Sequence, residues 1–139
     1  MQRKIIPDVV QGQELVTLSE SQTVREAARC MCDHQVGSVL VTREGRLIGI
    51  FTERDIVSRV VAPGRDPDKT PLAQVMTQDP DTVVPRTTAI EALRRMQDGG
   101  FRHLPVVDHG RLIGIVSRRD FYGEEKARLD DETTLWERI

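Results

Sequence analysis

Apolar residues fall at helical spacing twice along the chain, and the same series of shorter apolar runs follows each time. Val24, Ala27, Ala28 and Met31 recur at i, i+3, i+4 and i+7, and Ala89, Ala92, Leu93 and Met96 repeat the interval 65 residues later. A threonine opens each stretch, in "TVRE" (23–26) and "TAIE" (88–91), with glutamate three positions on, the pattern of a capping box. Both stretches are expected to be amphipathic helices, the second closed by Gly99-Gly100. Valine-rich runs follow, "SVLV" (38–41) and "LPVV" (104–107), then a glycine turn ("REGR" or "DHGR") and a returning run ("LIGIF" or "LIGIV"). Apolar runs joined across a turn glycine predict β-hairpins. Beyond each hairpin, "TERDIVSRVV" and "SRRDFYGEEK" start another helix, with Thr52 or Ser117 as N-cap and Asp55 or Asp120 at the third position. With "LVTL" and "TVV" as a short strand before the first helix, each copy reads β-α-β-β-α.

A shift of 65 lays residues 17–55 on 82–120 without a gap, and sixteen of the 39 aligned positions are identical, including all of "GRLIGI". Composition alone would give roughly two or three matches. Two copies are too few for a solenoid. They predict an α+β protein of two units about a pseudo-two-fold axis, packed through their small sheets, each covering the other's apolar face. The boundaries expected are 1–65 for the first unit, 66–123 for the second and 124–139 for an acidic C-terminal helix or tail. Between the copies, "APGRDPDKTP" (62–71) is a turn region and "LAQVMTQDP" (72–80) carries a short helix. Residues 1–14 read as a degraded version of that lead-in, with "PDVVQGQE" opposite "LAQVMTQD".

Composition narrows the function. At 139 residues, 38% of them hydrophobic, the chain can bury a real core. The formal charge is −2, and no aromatic platform interleaves the arginines, which argues against nucleic acid as a partner. The charge is uneven: residues 121–139 hold six acids and three bases. Leu135 and Ile139 share a helical face there, beside the sole tryptophan, Trp136. Cys30 and Cys32 point to different faces of a helix and are expected to be core or boundary residues; no metal site is expected. No leader pattern opens the chain and no apolar run approaches membrane-spanning length, so the expectation is a soluble, cytoplasmic protein. Nucleophile elbow, HExxH helix and Walker A loop are all missing, so no catalytic residue is expected and the protein is not read as an enzyme.

The order of capped helix, "LPVVD", "GRLIGI" and then a hydroxyl residue two before Arg-Asp resembles the cystathionine-β-synthase-type domain, or CBS domain, which occurs in tandem pairs. The resemblance runs from about residue 5 to 122, and "HLPVVDHGRLIGIVSRRD" (103–120) fits the family pattern almost residue for residue. The first copy departs from it: Gly37, Ser38 and Leu40 stand opposite Arg102, His103 and Pro105. The resemblance implies a regulatory module, similar to stand-alone prokaryotic CBS-pair proteins. Such a module binds AMP, ADP, ATP or S-adenosylmethionine in clefts between the two units and signals to an effector protein, here unknown. It implies a homodimer, no required cofactor, no membrane and no nucleic acid. The competing expectation is a ligand-free homodimerisation module.

By resemblance, Asp55 and Asp120 accept hydrogen bonds from ribose hydroxyls, a task suited to a carboxylate's two oxygens. Thr52 and Ser117 match the hydroxyl residue facing ribose or phosphate, and Gly49 and Gly114 let the backbone approach base or sugar. Arg102, His103 and Pro105 lie where some members meet phosphate; Arg119 adds charge, and Thr17 and Thr82 lie near the base. The residues themselves leave a second reading open. Thr52 with Asp55, and Ser117 with Asp120, are equally capping pairs that stabilise a helix by about 1 kcal/mol with no ligand. His103 reads as well as a hydrogen-bonded strand histidine, and the two clefts are expected to differ in their hold on phosphate.

Overall fold

The computed structural model describes residues 2–123 and 125–128, and the proposed face of Leu135, Trp136 and Ile139 lies outside them. The expected α+β architecture is present. Two compact units divide the described residues: one holds 14–80 with 110–112, the other 2–13, 81–109, 113–123 and 125–128. The grouping therefore differs from boundaries drawn along the sequence, because each lead-in packs with the opposite copy.

In the first unit, β1 (Thr17–Ser19) pairs in parallel with β2 (Ser38–Arg43), which forms an antiparallel hairpin with β3 (Arg46–Thr52). Glu44 and Gly45 join them with φ of 52° and 79°, and His109 and Gly110 do the same in the second copy at 51° and 78°. Two consecutive positive φ values are the signature of a type I′ turn, which suits the right-handed twist of a hairpin. Helix α1 (Val24–His34) lies between β1 and β2 in sequence. Thr23 caps it by accepting the Glu26 N–H, and Thr88 caps its counterpart by accepting the Glu91 N–H, each at 3.2 Å. Only this half of the expected capping box forms. Glu26 accepts from Gln22, and Glu91 pairs with Arg94 and Arg95. Val24, Ala27 and Met31 on α1 pack with Val39, Val41 and Phe51 of the hairpin and with Leu72 and Val75. After β3 the chain turns into α2 (Glu53–Asp55), which continues as π-type turns over Ile56–Val61.

The lead-in Leu72–Val75 forms the short helix α3, and β4 (Thr77–Gln78) adds to β3 opposite Gly49 and Ile50. The second unit has α4 (Ala89–Gly99) and the hairpin of β5 (His103–Asp108) and β6 (Arg111–Ser117). Gly100 closes α4 in the left-handed conformation, as Gln35 closes α1. The expected first strand of this copy is reduced to one parallel bridge, Val83 to Val106. Its second helix is also broken. Arg118–Asp120 form one 3-10 turn, Phe121 is extended, and a new helical start at Tyr122 is capped by Glu125, which accepts the Tyr122 N–H at 3.0 Å. Phe121 is buried in the core around Leu93, Met96 and Val116, so core packing overrides helix continuation there.

The lead-ins correspond, but in a different register from the one expected. Ile5 donates to Thr87 O and Ala89 N–H bonds Arg3 O, while Leu72 donates to Gln22 O and Val24 N–H bonds Thr70 O. Residues 87 and 89 align with 22 and 24, so Ile5 matches Leu72 at a shift of 67 rather than 65. Both side chains are fully buried. A π-type turn at Ile5–Val9 absorbs the two extra residues, and Gln13 returns to the 65 register opposite Gln78.

Candidate functional site

Each candidate carboxylate sits where a hairpin strand ends and a helical turn begins. In the first unit the amide of Thr52 donates to Asp55 Oδ2 at 3.0 Å, and the Asp55 amide donates to Thr52 Oγ1 at 3.3 Å. Asp55 is only 9% exposed. In the second unit the Ser117 amide donates to Asp120 Oδ2 at 2.7 Å, and Asp120 is half-buried. The capping arrangement left open by the residues is thus formed in both copies. It also fixes each carboxylate beside its hydroxyl residue, so the same contact that satisfies an orphan amide aligns two groups suited to neighbouring ligand hydroxyls.

The neighbourhoods of the two carboxylates differ. Arg59 lies one turn beyond Asp55, with Nε 3.6 Å from Oδ1, and its Nη1 donates to the carbonyls of Val75 and Met76 at 3.1 and 3.0 Å. The aligned position of the second copy is Glu124 in the sequence. Conversely, the first copy has Gly37 and buried Ser38 at the start of β2, where the second has exposed Arg102 and half-buried His103 at the start of β5. The backbone places both pairs alike: Glu53 N–H bonds Gly37 O at 3.1 Å and Arg118 N–H bonds Arg102 O at 2.9 Å. Arg102 is therefore tied by its carbonyl to the turn that holds Ser117 and Asp120. Arg119, in the same turn, is exposed. Pro105 is buried in β5, and its carbonyl accepts the Val83 N–H at 3.0 Å.

The two glycines approach protein atoms. A Cβ on Gly49 would lie 2.5 Å from Met76 Sδ and 3.0 Å from the Thr77 carbonyl. On Gly114 it would lie 3.0 Å from Gln13 Oε1. Gln13 Oε1 accepts the Ile115 N–H at 2.9 Å, at the position aligned with Ile50, which pairs with β4 in the first unit. One side-chain amide thus stands in for a missing strand. Thr17 is exposed at the start of β1 opposite Leu40, and the carbonyl of Thr82 accepts from Arg95 at 3.1 Å. Arg59, Gln13 and Met76 were not among the residues expected from the sequence to shape the site. Only Arg59 carried a signal, its i+4 spacing from Asp55.

Among the described residues, no cluster of three or more His, Cys, Asp or Glu side chains could hold a metal ion, and no helix is long and apolar enough to cross a membrane. Cys30 is half-buried, and burial, with Asp33 adding to it, pushes its thiol pKa up. Cys32 is exposed.

Two α+β units, each ending its hairpin in a hydroxyl–aspartate pair at a helix start, define a duplicated module of the tandem-repeat class. The chain belongs to the CBS domain family, whose model matches residues 8–62 and 72–125. It is 38% identical over 107 residues to the CBS domain-containing protein YhcV of Bacillus subtilis, covering 77% of this chain and 76% of that one. It is 43% identical over 102 residues to CBSCBSPB2 of Arabidopsis thaliana, a match that spans 73% of this chain and 19% of the plant protein. Among solved structures it is similar to the CBS domain protein PAE2072 from Pyrobaculum aerophilum complexed with AMP, with a TM-score of 0.76 and 30% identity over 87% of this chain and 95% of that one. Proteins of this family are generally regulatory ligand sensors rather than catalysts.

Proposed function

We propose that this protein is a non-catalytic sensor of an adenosine-containing ligand, AMP being the first candidate, and that it signals to a partner protein. Asp55 and Asp120 take the ribose hydroxyls, with Thr52 and Ser117 beside them, and Arg102 and His103 meet phosphate in the second copy. Gly49, Gly114, Pro105, Thr17, Thr82 and Arg119 shape the surroundings. The observation that carries the reading is the equivalent geometry of the two aspartates, each held by its Oδ2 beside a hydroxyl at a helix entrance. The AMP bound by the similar Pyrobaculum protein supports the ligand class. Signalling needs only that the ligand bind two arrangements of the protein with different affinity. A homodimer is the proposed assembly. Exposed Val57 and Tyr122, which occupy equivalent positions of the two copies, are the apolar residues it would cover.

Thermal unfolding with AMP, ATP, adenosine and S-adenosylmethionine tests this. A ligand at 100 times its dissociation constant adds about 2.7 kcal/mol to stability. Wild type should show a rise in Tm with AMP, and Asp120→Ala should lose most of it while keeping a cooperative transition. Arg102→Ala should weaken AMP and ATP far more than adenosine. Equal losses for all three would remove the phosphate contact. The alternative, a ligand-free dimerisation module, is favoured by the aspartates' formed caps, and it predicts no Tm shift with any of the four.

A further inference from the structure

Arg59 touches both a candidate ribose carboxylate and the backbone of a separate element. Its Nε faces Asp55 Oδ1, the oxygen not used by the Thr52 amide. Its Nη1 reaches the carbonyls of Val75 and Met76, where α3 ends and the chain enters β4. A helix C-terminus leaves carbonyls unsatisfied, and a guanidinium can bond two of them while its other face meets a carboxylate. Leu72, Val75 and Met76 are buried in the first unit's core, and β4 continues onto β3, so these carbonyls belong to a docked segment.

We propose that Arg59 is a positioning residue that couples the Asp55 carboxylate to the docking of residues 72–79. With Asp55 ionised and unoccupied, its Oδ1 draws the guanidinium into the place from which Nη1 grips the two carbonyls. A ligand hydroxyl donating to Oδ1 takes part of that acceptor's capacity, and the grip on the segment loosens. In the sequence the second copy carries Glu124 at the position aligned with Arg59, so this guanidinium is not repeated there. Coupling is thus a property of the first copy alone. The ligand part of this inference rests on the function proposed above; the ligand-free part does not.

Amide exchange at Met76 and Asp79, whose N–H groups bond Leu72 O at 2.8 Å and Ile48 O at 3.1 Å, reads the docking directly. Without ligand, Asp55→Asn keeps an oxygen for the Thr52 amide but removes the charge facing Arg59. It should speed exchange at both amides about three- to tenfold, Arg59→Gln should do the same, and the double variant should add little to either. If Asp55→Asn leaves exchange unchanged while Arg59→Gln speeds it, or if the two effects add, the coupling is refuted and Arg59 is only a cap for α3. With AMP at saturation, exchange at Met76 and Asp79 should rise in wild type and stay constant in Arg59→Gln. Binding by calorimetry with no such rise overturns the ligand coupling. Absence of AMP binding overturns the ligand reading instead, and leaves the ligand-free cycle to decide on Arg59.

Discussion

Gly49 and Gly114 occupy the same place in the repeat and meet different neighbours, which makes them a test of how much an identical letter means. At Gly49 an added methyl collides with Met76 Sδ and with a backbone carbonyl of β4, and a paired strand has little room to retreat. Overpacking of this kind costs about 1–3 kcal/mol. At Gly114 the obstacle is the end of the Gln13 side chain, which can rotate away and forfeit one hydrogen bond. Gly49→Ala should therefore destabilise the protein more than Gly114→Ala, as measured by denaturant midpoints; the reverse order would contradict this packing account. The glycine in "GRLIGI" was legible as a close approach, but not what approaches it, because Met76 and Gln13 stand at non-equivalent positions of the two lead-ins, Met76 aligning with Gln11 and Gln13 with Gln78. The capping aspartates were legible for a local reason. Hydroxyl, two residues and carboxylate are a contact between neighbours, needing no tertiary knowledge.

Local codes of the same kind explain which elements could be foreseen. Helices α1 and α4 carry their cap, stripe and terminator within a dozen residues, and each hairpin carries its glycine turn. The elements that departed from expectation are those decided by packing with distant segments. The helix after β6 breaks because Phe121 enters the core, and the first strand of the second copy shrinks to one bridge. The lead-ins are the clearest case, since their register shifts by two residues and each packs with the other copy's core. Ile5 and Leu72 fill equivalent, fully buried places, and truncating either to alanine should cost about 2–5 kcal/mol. The location of the damage is the sharper prediction. In native-state hydrogen exchange, Ile5→Ala should expose amides of α4 and β5 first, and Leu72→Ala those of α1 and β2. Damage confined to the copy that follows each lead-in directly in sequence would overturn this arrangement.

The unit built around α4 joins residues far apart in the chain, and one ion pair spans nearly its whole length. Arg3 Nη2 donates to Glu125 Oε1 at 2.6 Å and Nε to Oε2 at 3.3 Å, and the guanidinium stacks 3.6 Å from the centre of the Tyr122 ring. Both side chains are largely buried, at 19% and 12% exposure, so the pair is better shielded from solvent than the surface pairs Arg25–Asp68 and Arg43–Glu20. Burial alone would push the Glu125 carboxyl pKa up. The hydrogen bond from Arg3, the Tyr122 amide and the Arg3 charge outweigh it and hold the carboxyl below its ordinary 4.5. A carboxyl whose pKa is lower folded than unfolded contributes stability above the unfolded value, and that contribution is lost as pH falls through the folded value. Glu125→Gln should therefore destabilise the protein by about 1–2 kcal/mol near pH 7, and the difference from wild type should shrink once the pH drops below about 4.5. Arg3→Met should also lose its disadvantage at low pH, and more steeply, since it leaves the Glu125 carboxylate shielded without its cation until the carboxyl is protonated. Urea unfolding of the three proteins at pH 7 and pH 3.5 measures it. A wild-type advantage equally large at both pH values would mean that Glu125 contributes by packing, and that the charge linking the two distant segments adds nothing to their hold on each other.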